Sequence, residues 1–198
     1  MCNIDELFAM LSWNNTEEIQ QKGIESAREV KSLCVFFRPN RKDIWENCAK
    51  VLCERSDDEL RPYIKNMLEW LEDINDPGAT LIEERLHKFP AEKILEHYTH
   101  ALEKAILTDD NMWTGCLAEF AKDDSVLFDN LSNDHRQLVM DILTSPEKDH
   151  REKLIKIIKD REAQSNEKAK RDMENYISKV GDNLNDEQRA FLRRLVQG

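Results

Sequence analysis

A chain of 198 residues with 40% hydrophobic and 35% charged residues has room for one sizeable core or a short array of repeats. Its net charge of -11 argues against sequence-independent nucleic-acid binding and against anionic membrane surfaces, because both draw their affinity from cations on the protein; it favours basic partners. Five glycines and five prolines are too few for a turn-rich β protein and suit long helices with short connections.

The first helix is predicted at about residues 3–12, with Ile4, Leu7, Phe8 and Leu11 at helical spacing. Asn14 and Asn15 break it, and Thr16 is placed to cap a second helix carrying Ile19, Gly23, Ile24, Ala27, Val30 and Leu33. Gly23 within that stripe predicts the close approach of another backbone. Val35, Phe36 and Phe37 are followed at once by Pro39 and read as an apolar loop beneath the helices. A third helix is expected at residues 42–55. Ser56 and Asp57 then open a fourth, whose stripe is Leu60, Ile64, Met67, Leu68 and Leu71, with Pro62 in its first turns. Asp76, Pro77 and Gly78 make a turn, and Pro77 is expected at the first position of a fifth helix with Ala79, Ile82 and Leu86 inward.

Phe89 and Pro90 mark the next break. A sixth helix is predicted over 91–107 and a seventh after Asp109 and Asp110, with Met112, Trp113, Cys116, Leu117 and Phe120. Asp123, Asp124 and Ser125 lead to a short apolar turn or helix, and residues 134–143 form another. Ser145-Pro146-Glu147 signals a further helix start. The composition changes there: residues 1–145 hold 16 Lys and Arg against 29 Asp and Glu, whereas 146–198 hold 13 against 11. The expected division is a helical repeat domain over 1–145 and a helical extension over 146–198. Within the extension, 159–171 is nearly all polar and reads as mostly helix. A last helix after Asn185, with Phe191, Leu192, Leu195 and Val196, would cap the array or pair with a second copy.

Breaks of two to five residues between helices force antiparallel neighbours. The segment Leu60, Pro62, Leu68, Leu71, Asp73, Pro77 and Ala79 resembles a HEAT-type unit, in which a helix carrying L-x-P turns through an acidic corner into a second helix. A looser copy lies at 101–117. More narrowly, LEWLEDINDPGA (68–79) resembles the L-x-W-L-x-D-x-N-x-P-x-A signature of an uncharacterised bacterial HEAT-like family, over about residues 1–120, with Asp76 standing where an aromatic residue is expected. The resemblance implies an all-α, HEAT-like α-solenoid of antiparallel helix pairs with a C-terminal extension. It brings no activity with it.

Candidate chemistry is sparse. Glu96, His97, His100 and Glu103 could share one face of the sixth helix, but the zinc-protease spacing H-E-x-x-H is absent. The doublets Asp57-Asp58, Asp109-Asp110 and Asp123-Asp124 fall at helix starts, where capping explains them. Trp13, Trp45, Trp70 and Trp113 lie on or beside apolar stripes and are expected in the core. Five dispersed cysteines without C-x-x-C argue against a disulfide framework or zinc site and for buried, reduced thiols in a cytoplasmic protein. The N-terminus lacks a signal-peptide pattern, and no stretch reaches the roughly 18 apolar residues of a bilayer span. No catalytic residue, cofactor or metal is expected. The reading that follows is a non-enzymatic binding module for a basic protein, of the immunity, antitoxin or adaptor kind, with Asp73, Asp76, Glu83, Asp109 and Asp110 as candidate contacts. The alternative is a HEAT-like nucleic-acid enzyme of the DNA glycosylase type, which needs a basic concave face bearing aromatics.

Overall fold

A computed structural model describes residues 3–180, with side chains through Asn175. Among these residues the protein is all-α and contains no strand. The helices are α1 (Ile4–Met10), α2 (Glu17–Ala27), α3 (Trp45–Cys53), α4 (Asp57–Leu60), α5 (Ile64–Trp70), α6 (Ala79–Leu86), α7 (Ala91–Leu107), α8 (Asn111–Asp123), α9 (Ser125–Asn130), α10 (Asn133–Thr144) and α11 (Arg151–Val180). The chain divides into two compact units between Arg151 and Glu152. In the first unit α1 packs on α2, α2 on α3, α3 on α6, α6 on α5, α5 on α7, and α8 on both α7 and α10. In the second unit the described part is the body of α11, which is continuous helix through the polar stretch 159–171. The expected helix after Asn185 lies outside the described residues.

Several boundaries differ from expectation for local reasons. Thr16 holds the N-cap position of α2, yet its side chain makes no cap bond. α2 stops at Ala27, and Leu33 to Phe36 form a separate 3-10 turn that buries Leu33 and Phe36. The fourth predicted helix is broken into α4, a 3-10 turn over Arg61–Tyr63, and α5. Pro62 accounts for that break, since its ring has no N–H and crowds the carbonyl one turn back. Ser56 opens α4 through a reciprocal capping box with Glu59, so the cap is the serine and not Asp57. Pro77 stays outside α6; Gly78 is the N-cap, at φ 82°. Finally, α11 begins at Arg151 and not beside Pro146, with the Asp149 carboxylate accepting from the Arg151 backbone N–H at 2.9 Å.

The core runs through the facing stripes: Leu60, Ile64, Met67, Leu68 and Trp70 from α4 and α5; Ile94, Tyr98 and Leu102 from α7; Trp113, Leu117 and Phe120 from α8. Polar anchors tie the pairs together. Asn47 donates to the Leu11 carbonyl at 2.8 Å and to Gln20 Oε1 at 2.7 Å, linking α3 to the first two helices. Trp113 Nε1 donates to the Leu68 carbonyl at 3.0 Å, and Tyr98 Oη to that of Leu117 at 3.0 Å. Gly23 meets its expectation: a Cβ there would stand 3.0 Å from Met10 Cβ. Trp13 does not reach the core and is 48% exposed.

Candidate functional site

The turn between α5 and α6 is held by opposite charges and aromatic rings. Asp76 is buried, and its carboxylate lies 2.5 Å from Lys42 Nζ and 3.7 Å from Arg38 Nη2. Arg38, in the left-handed region at φ 44°, also donates to the Glu69 carbonyl at 2.8 Å and to Glu72 Oε2. Both cations lie over the Trp45 ring, at 5.0 and 5.5 Å from its centroid. Trp45 packs edge-on against Trp70, whose Nε1 donates to the Pro77 carbonyl at 3.2 Å. Asp76 is thus a structural charge facing two cations, and it is not available as a surface contact.

Three further carboxylates act on one side chain beside this turn, with Lys42 and Arg38 acting on Asp73 and His87 on Glu83. Asp73, Glu83 and Asp110 all act on the thiol of Cys116, half-buried on α8. Burial pushes that thiol up; a hydrogen bond with the Ile74 backbone opposes this, and the three carboxylates add to the rise. Asp73 accepts from the Asn75 backbone N–H at 2.9 Å and from its amide at 3.0 Å, which holds its carboxyl below the usual range. Glu83 is shifted the other way, upward, chiefly by burial. Asp110 caps α8 by accepting from the Trp113 N–H at 3.0 Å. Among the described residues no cation is ion-paired with any of these three.

The five acidic residues expected as partner contacts therefore separate. Asp73, Glu83 and Asp110 all act on Cys116. Asp76 turns inward to its cations. Asp109 sits at φ 62°, exposed, with its carboxylate 3.8 Å from Arg151 Nη1. Its peptide closes α7: Asp110 N–H bonds the Ala105 carbonyl at 2.9 Å and Asp109 N–H that of Ile106 at 3.2 Å.

The histidines on α7 also separate. His97 and His100 are exposed, whereas Glu103 is buried. Glu103 Oε1 lies 3.1 Å from Nε2 of His135, whose Nδ1 is 2.8 Å from Ser132 Oγ. Serine, imidazole and carboxylate in a row have the connectivity of a hydrolase triad. Here, though, the serine oxygen caps α10 by accepting the His135 N–H at 3.2 Å, so the row anchors α10 to α7. Sequence reasoning passed over His135. The available signal was its place three residues after a capping serine and in register with Leu138, Val139 and Ile142. The cysteines follow their settings. Cys34 is exposed, contrary to expectation, while burial pushes Cys48 up to about 12 and Cys53 up to about 11.

Residues 39–135 match the profile of a domain of unknown function, DUF5071. The chain carries a DUF5071 domain. It contains the turn at 68–79 and all three carboxylates that act on Cys116, and leaves α1 and α2 outside. The resemblance to an uncharacterised family, expected over 1–120, is found over 39–135, and the matched family is not described as HEAT-like. No curated protein and no solved structure matches the chain. Among the described residues no helix is long and apolar enough to cross a membrane.

Proposed function

We propose that the protein is a non-enzymatic binding module built from HEAT-like helix pairs, and that it engages a basic protein through an acidic surface, in the manner of an immunity protein or an adaptor. The observation that carries the reading is the excess of acidic residues, with three carboxylates acting on Cys116 beside the α5–α6 turn. Asp73, Glu83 and Asp110 all act on Cys116 and form no ion pair among the described residues, though Lys42 and Arg38 act on Asp73 and His87 on Glu83, while Asp76, Asp57 and Glu54 nearby in the chain are each paired with an arginine or lysine. An excess of negative charge steers an oppositely charged partner and selects against nucleic acid. The aromatic residues support the same choice. Trp70 and Trp113 are buried, and Trp45 is covered by Arg38 and Lys42, so none of the three offers a face on which a base could stack.

The test is a pull-down from the native host with the full chain as bait, with and without nuclease. The reading expects basic protein that survives nuclease and is released by salt. Recovery of nucleic acid alone, lost on nuclease treatment, would overturn it.

A further inference from the structure

We draw no further inference here: the strongest candidate, the half-open apolar groove between α1 and the end of α2 lined by Ile4, Leu7 and Val30, carries one acid and one base, Glu29 and Lys31, so its charge favours no partner and nothing in the structure shows what covers it.

Discussion

Gly78 holds φ at 82° at the head of α6, where an L-residue is strained, and its hydrogen faces Ala49 in place of a side chain. Two costs therefore add in Gly78→Ala: the left-handed backbone and a methyl 2.5 Å from Ala49 Cβ. Together they are expected to destabilise the protein by about 2–4 kcal/mol, read as a lowered urea midpoint. An unchanged midpoint would mean that α3 and α6 can move apart freely. The cysteines give a second check at this scale. Alkylation near pH 8 needs access and thiolate, so Cys34 should react first, Cys116 more slowly, and Cys53 and Cys48 last. Rapid modification of Cys48 in the native protein would show that α3 is not packed as described. The sequence made the turn at Gly78 legible, because Pro-Gly after an acidic residue punctuates any helical pattern. It could not tell that Asp76 faces inward, since Arg38 and Lys42 arrive from more than thirty positions away.

At the scale of elements, one device recurs: an arginine from later in the chain closes the carbonyl end of an earlier helix. Arg55 donates to the Ala27 carbonyl at 2.8 Å, at the end of α2. Arg85 is buried on α6, donates to the Arg55 carbonyl at 3.0 Å after α3, and pairs with Asp57 at 2.6 Å. Orphan carbonyls at a helix end need such partners, and a cation also suits the negative end of the helix dipole. Arg85→Ala is expected to cost about 2–4 kcal/mol in urea unfolding, because it leaves the α3 end unsatisfied and removes packing over Phe89. Arg85→Lys should recover under half of that, since one ammonium cannot reproduce the planar fork. The doublet Asp109-Asp110 divides its labour: the first ends α7 in the left-handed region and the second opens α8. Glycine is the favoured residue at the first position. Asp109→Gly is therefore expected to gain about 0.5–1 kcal/mol, despite losing a half-exposed contact with Arg151. Helix existence was readable throughout, and α7 was placed to the residue, because its apolar stripe is long and its ends are marked by Pro90 and Asp109. The boundaries that shifted, at α2, α4 and α11, are places where a 3-10 turn or a local side-chain contact displaced the expected end.

Across the whole molecule, 40 acidic residues face 29 basic ones, and the paired and unpaired carboxylates respond to acid in opposite directions. Asp43, Glu54, Glu59 and Asp73 are held below the usual carboxylate range, by the Arg41, Arg28, Ser56 and Asn75 hydrogen bonds respectively. A carboxyl depressed by folding contributes stability that is complete above its unfolded value, about 4, and is lost as pH falls through its folded value. Glu83, raised by burial, works the other way and favours the folded state as it takes up a proton. The net charge of -11 adds self-repulsion that also eases as the pH drops toward the sequence pI of about 5.0. Stability should therefore rise between pH 7 and about 5, where the self-repulsion eases, and fall below about 4, where the four hydrogen-bonded carboxyls, and Asp149 held down by Arg151, are protonated. The check is the urea midpoint measured along that pH series. At pH 7 the same midpoint should also rise on adding salt up to about 0.15 M, because screening removes the repulsion between surface charges while the buried contacts of Asp76 are screened far less. A midpoint that falls steadily from pH 7 downward, or that drops with salt, would mean that the surface ion pairs outweigh the excess negative charge.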